Sequence, residues 1–125
     1  MPETMTLSVR HDHIADVPVL RLSGDIDLAT RDTAAAAIAV RQRGRPPVLV
    51  LDLGGVDFVG ACGLSLLVRA RHRAEDDGGV LLVVGCGRSV LRGLEVTGLL
   101  GVVQPYTSIA EALVAIGTIP RQRTR

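Results

Sequence analysis

Tryptophan does not occur in this 125-residue chain, phenylalanine and tyrosine occur once each, and aromatic residues make up 2% of it. That removes the platform on which single-strand nucleic-acid binders stack successive bases. The formal net charge of +1 removes the other requirement, a clustered basic face for phosphates. Direct nucleic-acid binding is not expected. Lysine is missing too: all 14 basic residues are arginine, beside abundant Ala, Gly and Val, a bias that fits a GC-rich genome better than a need for guanidinium chemistry. Two cysteines, Cys62 and Cys86, are too few for a disulfide-stapled secreted scaffold. Met1 to Arg10 holds no apolar stretch of signal-peptide length, and no run approaches the roughly 20 apolar residues that cross a bilayer. The expectation is a cytoplasmic protein with no membrane insertion.

What the chain does have is 47% hydrophobic and 22% charged residues, the balance of an ordinary folded domain. Its length suits one core, which buries roughly two-thirds of the surface the unfolded chain exposes. Thr6 to Arg10 alternates apolar and polar residues and predicts a strand; His11-Asp12-His13 with Asp16 predicts a polar turn; Val17 to Leu22 predicts a second strand, interrupted by Ser23-Gly24-Asp25. An Ala-rich helix follows to about Arg41, with Thr30 placed to cap it and Asp32 in its first turn. Pro46-Pro47 stops helical structure, and Val48 to Leu53 is a continuous apolar run of the kind buried on both faces of a sheet. A loop through Gly54-Gly55 to Gly60 leads into a helix from about Cys62 or Gly63, with Leu64, Leu67, Val68 and Ala74 on its apolar stripe and Gly78-Gly79 at its end.

Val80 to Val84 is a further buried strand, Gly85-Cys86-Gly87 a turn, and Ser89 to Thr97 a short helix. A brief strand is expected near Gly101 to Val103, then a last helix to about Ile116, opened by the Ser-x-x-Glu capping box of Ser108 and Glu111. Residues 1–117 read as one domain and residues 118–125 as a basic, disordered tail. The fold class is α/β: a mostly parallel sheet of four or five strands with about four helices. In open sheets of this kind function gathers at the carboxyl ends of the strands, here Ser23 to Asp27, Val59 to Gly63 and Gly85 to Ser89.

Those stretches resemble the STAS domain, the family of the bacterial anti-sigma factor antagonists. Leu22 to Thr30 is similar to the family's apolar-x-Gly-acid-apolar-Asp stretch, Val48 to Gly63 to the strand and loop that enter its signature helix, and Val90 to Leu99 with Ser108 and Glu111 to Leu113 to its C-terminal portion. The resemblance runs from about Thr6 to Ile116 and implies a regulatory binding module, not an enzyme and without a cofactor. It implies docking on an anti-sigma factor that is also a serine-kinase-type, histidine-kinase-like ATPase, which frees a sigma factor. The family's switch is phosphorylation of a serine at the start of the signature helix: the added charge disrupts a desolvated interface, while the helix N-terminus tolerates it.

At that place the sequence departs from the family. Gly60 stands where Asp is usual, Ala61 at the phosphoacceptor and Cys62 at the next position. Ala61 has no hydroxyl to phosphorylate, and Ser65, a turn further on, is the alternative acceptor. The partner surface implied by the resemblance comprises Ser23, Asp25, Asp27, Gly60, Ala61, Cys62, Gly63 and Leu64. Asp25 and Asp27 have a plainer reading, as caps of the turn into the following helix. Gly85 to Ser89 invites an anion- or nucleotide-sensing alternative in the same crevice, although it has neither the Lys of a P-loop nor the length of a dinucleotide fingerprint. Cys62 at a helix start suggests an acidic thiol and a possible redox partner in Cys86, against the simpler reading of small filler residues. His11-Asp12-His13 carries metal-ligand residue types, with nothing nearby in sequence to complete a metal site. No spacing suggests a catalytic set, and oligomeric state is not legible.

Overall fold

A computed structural model of the chain describes residues 6–117; the expected basic tail lies outside the described residues. Nine elements follow one another: β1 (Ser8–Ile14), β2 (Val17–Ile26), α1 (Arg31–Gln42), β3 (Val48–Val59), α2 (Ala61–Asp76), β4 (Val80–Val84), α3 (Arg88–Val96), α4 (Leu100–Val103) and α5 (Ile109–Ala115). The strands form one sheet in the order β1-β2-β3-β4. β2, β3 and β4 run parallel and β1 pairs antiparallel with β2, so the sheet is mixed. The α/β reading stands, with four strands.

Several local expectations change. His11-Asp12-His13 lies within β1, and the turn is Ala15-Asp16, both at positive φ (53° and 65°). A two-residue hairpin takes this primed geometry because it matches the twist of the strands. The polar run looked like a turn because β1 is an edge strand, largely exposed on both faces. β2 continues through Ser23-Gly24-Asp25, with register shifts against β3 between Arg21 and Ser23 and between Gly24 and Asp25. Gly24 makes the irregularity possible, at φ +115°. β3 likewise continues through Gly54-Gly55 to Val59, because Gly55 allows the backbone to pass close against Ser23.

The strand expected near Gly101 to Val103 is instead the four-residue helix α4. Only Val103 of that segment is buried, and the Arg71 side chain reaches from α2 to donate to the Val103 carbonyl (2.9 Å) and to Gln104 Oε1 (3.0 Å). Pro105 follows and has no N–H for a ladder. A single parallel bridge from Tyr106 to Val84 is what remains of the fifth strand. The capping box at α5 forms with a shift: Ser108 Oγ accepts from the Glu111 N–H (3.1 Å), and Glu111 Oε1 accepts from the Thr107 N–H (2.8 Å).

The sheet separates two cores. On one face Leu20, Leu22, Leu49, Leu51, Leu53 and Leu81 meet Ile38 of α1, Leu67 of α2 and Leu94 of α3. On the other, Val17, Val19, Val50 and Leu82 meet Ala112 and Leu113 of α5. Gln42 Nε2 donates to the Ala70 carbonyl (2.8 Å) and locks α1 to α2. Where α5 stops, the sheet face turns polar, and Arg21 pairs with both Asp12 and Asp52 across three strands. This frame brings the carboxyl ends of β2 and β3 together at one rim.

Candidate functional site

The rim begins with a main-chain tie: the Gly60 N–H donates to the Ile26 carbonyl (2.8 Å), joining the last residue of β2 to the start of α2. From Ile26 the chain enters a loop organised by Asp27. Its Oδ1 accepts from the N–H groups of Ala29 (3.0 Å) and Thr30 (3.1 Å), an Asx turn. Thr30 occupies the position before α1, but its side chain does not cap the helix. The buried hydroxyl points back instead, donating to the Asp25 carbonyl (2.6 Å) and accepting from the Asp27 N–H (3.0 Å). A capping helix residue was expected; a loop clamp is found.

The clamp holds Leu28 out in solvent, 86% exposed. Across from it stands Phe58, the chain's single phenylalanine, 49% exposed at the end of β3 and packed beside Gly60. In a protein so poor in aromatics, placing that ring outside the core is informative, because burial is where a phenyl group stabilises most. Between the Asp27–Leu28–Ala29 loop and the Phe58, Gly60, Ala61 and Cys62 wall lies an open hollow of about 540 Å³. α2 starts at Ala61 on its floor, one residue earlier than expected, with Gly60 as N-cap.

The structure sorts the sequence candidates into four groups. Asp27, Gly60, Ala61 and Cys62 line the hollow, and Asp25 is exposed beside it, in register with Phe58. Gly63 and Leu64 face inward: a methyl group at Gly63 would come within 2.6 Å of Val59 Cγ1 and 2.8 Å of Ile26 Cγ2, and Leu64 is buried. They seat α2 on the sheet. Ser23 lies elsewhere, lining a small polar recess with Ser8, Arg10 and Arg21. Ser65 is exposed on α2, four residues from Ala61 and so on the same side of the helix, one turn along. Leu28 and Phe58 were not singled out as site residues; the scarcity of aromatics was the one available signal for Phe58.

The remaining candidates have structural surroundings of their own. At Gly85 a methyl group would lie 2.8 Å from Asp52 Oδ1, so an anion on this turn would meet a carboxylate. Both cysteines are free and half-buried. Burial pushes the Cys86 thiol up to about 11, and the nearby Asp52 charge adds to the shift. Cys86 is therefore a protonated thiol at neutral pH, packed against the main core. His11 and His13 alternate with Asp12 along β1 and so point to opposite faces from it. Among the described residues no group of three or more His, Cys, Asp and Glu could hold a metal ion. No helix among them is long and apolar enough to cross a membrane.

The carboxyl ends of the parallel strands β2 and β3 thus carry a clamped loop and the start of a Gly-capped helix. The STAS domain family model matches residues 8–112, and the chain belongs to that family. It is 30% identical over 92% of its length to the anti-sigma-F factor antagonist RsfB of Mycobacterium tuberculosis, covering 92% of that protein. It is 26% identical to the anti-sigma F factor antagonist of Paenibacillus polymyxa, over 92% of this chain and 99% of that one. Among solved structures, the crystal structure of an anti-sigma factor antagonist from Mycobacterium paratuberculosis superposes with a TM-score of 0.82 at 28% identity, covering 94% of this chain and 99% of that one.

Proposed function

We propose that this protein is an anti-sigma factor antagonist: it binds an anti-sigma factor in the cytoplasm and so frees a sigma factor. The observation that carries this reading is the hollow at the start of α2, where Leu28 and Phe58 are held exposed beside Ala61. Leu28 held in water by a hydrogen-bonded loop, next to the exposed Phe58 of β3, suits a partner that covers both. The names of the relatives supply the class of partner. The contact surface is the loop Asp25 to Ala29, Phe58, and Gly60 to Cys62, with Gly63 and Leu64 acting from beneath it. The partner is an ATPase of the serine-kinase type.

The same reading makes the protein a constitutive antagonist, because Ala61 offers no oxygen for phosphoryl transfer. With a purified anti-sigma factor kinase from its own organism and ATP, its intact mass stays constant and the complex persists. Ala61→Ser restores an acceptor, gains the mass of one phosphate and dissociates only when ATP is present. A phosphate on Ser65 of the unaltered chain would move the switch one turn along α2. Failure to bind any such anti-sigma factor would overturn the function itself.

A further inference from the structure

α3 turns Val90 and Leu94 into the core. On its outer side Arg88, Leu91, Arg92 and Glu95 recur at i, i+3, i+4 and i+7 and, with Leu100 of α4, line an open hollow of about 580 Å³. Of the nine large hydrophobic residues left exposed among the described residues, four (Leu91, Val96, Leu100 and Val102) fall on α3 and α4. This second apolar surface shares no lining residue with the hollow at Ala61.

The charges on α3 are ordered against its own dipole. Arg88 is its first residue and Glu95 lies in its last turn, whereas an isolated helix is stabilised by acids at the start and bases at the end. Neither Arg88, Arg92 nor Glu95 forms an ion pair with another described residue. Nothing among the described residues rewards that order. A copy of the same helix running the other way does. A two-fold axis passing between Leu91 and Arg92 sets Arg88 of each copy opposite Glu95 of the other, brings the two Leu91 side chains together, and places each helix start beside the other's end. A uniformly acidic partner would meet Glu95, and a uniformly basic one would meet both arginines. The pattern is self-complementary, as an isologous interface requires.

We propose that the α3–α4 face is a self-association surface on which a second copy of this chain packs its α3 antiparallel, pairing Arg88 with Glu95 twice and covering Leu91 and Leu100. The two Arg92 side chains lie along the solvent edge of the contact, where their aliphatic stems cover apolar surface and their guanidinium groups stay hydrated. A nine-residue helix presents a small face, so the dimer is weak and depends on concentration.

Sedimentation velocity from about 10 µM to about 1 mM tests this, with thermal melting of each variant alongside. The unaltered chain shifts from one mass to twice that mass over the series. Arg88→Glu alone and Glu95→Arg alone each weaken association by about tenfold or more, because each sets like charges face to face. Each also agrees better with the helix dipole, so melting temperature holds or rises and loss of the dimer cannot be assigned to misfolding. The double variant Arg88→Glu/Glu95→Arg restores association with the signs exchanged. A monomer at every concentration overturns the proposal, as does a dimer that is equally strong in all four proteins. Finding a different protein seated on α3 while the chain itself stays monomeric also overturns it. Ala61→Glu leaves the dimer unchanged, so this result is read separately from anti-sigma factor binding.

Discussion

At the end of β3 the chain leaves the sheet through Gly60, and at the end of β4 through Gly87. The two N-cap glycines share one backbone geometry, φ −76°, ψ 176° and φ −75°, ψ 175°. A cysteine lies beside each, Cys62 in the first turn of α2 after Gly60 and Cys86 just before Gly87. Their surroundings differ. The β2 loop rises beside the first turn and holds Leu28 out, so Ala61 and Cys62 line an open apolar hollow. The second turn sits over the Asp52 carboxylate and is closed on one side by Tyr106, whose carbonyl accepts from the Gly85 N–H (3.1 Å). One backbone device has become a platform and the other a joint. What neighbouring elements place around a turn, rather than the turn itself, decides which it is.

Adding the same charge to both turns gives the largest contrast. Ala61 is the first residue of α2, where a carboxylate suits the helix, so Ala61→Glu leaves the melting temperature nearly unchanged. In the hollow that charge must lose its water when a partner docks. Affinity for the anti-sigma factor falls by about 100-fold, roughly 2.7 kcal/mol, in a calorimetric titration. Ser89→Glu puts the same charge on the second residue of α3 and leaves that affinity unchanged. Equal losses from the two variants would mean that both turns face the partner, and the distinction drawn between them would fail.

The contrast also explains how much the sequence could disclose. Val48 to Leu53 and Val80 to Val84 were legible because a strand buried on both faces must be apolar throughout. The extension of β3 to Val59 was not, since Gly54-Gly55 has the local chemistry of a loop and becomes strand only through its fit against Ser23. Resemblance pointed to the residues near Ala61, but it could not separate the outward Ala61 from the inward Gly63 and Leu64. Leu28 was hidden for another reason. Its exposure depends on Asp27 and Thr30 clamping the loop, a local hydrogen-bond pattern that hydrophobic periodicity does not encode.

Two helix glycines sharpen the comparison through stability. Gly63 in α2 sits where a methyl group would press on Val59 and Ile26, while at Gly93 in α3 the nearest atom, Leu64 Cδ1, would be 4.0 Å away. Gly63→Ala should destabilise by about 1–2 kcal/mol, because overpacking outweighs the gain in helix propensity. Gly93→Ala, free of that crowding, should stabilise by about 0.5–1 kcal/mol. Melting temperatures of the two variants therefore move in opposite directions. A rise in both would show that α2 is not wedged tightly onto the ends of β2 and β3, and the platform would lose its rigid base.

An effect invisible at neutral pH concerns the cysteine of the closed turn. Cys86 is raised from its ordinary value of 9.0 to about 11 by burial and then by Asp52, so the folded chain keeps its thiol proton at a pH where the unfolded chain has lost it. The stability this proton linkage contributes is fully present below about pH 9 and is lost as pH rises through about 11. In Cys86→Ala that slope between pH 9 and 11 flattens, which denaturant midpoints measured across the range would detect. Thiol titration of the native protein at pH 8 should modify Cys86 far more slowly than the same residue in denaturant, since the thiolate is the reacting form. Rapid modification of native Cys86 would mean that the second turn opens readily to solvent, and the joint would then differ from the platform in degree only.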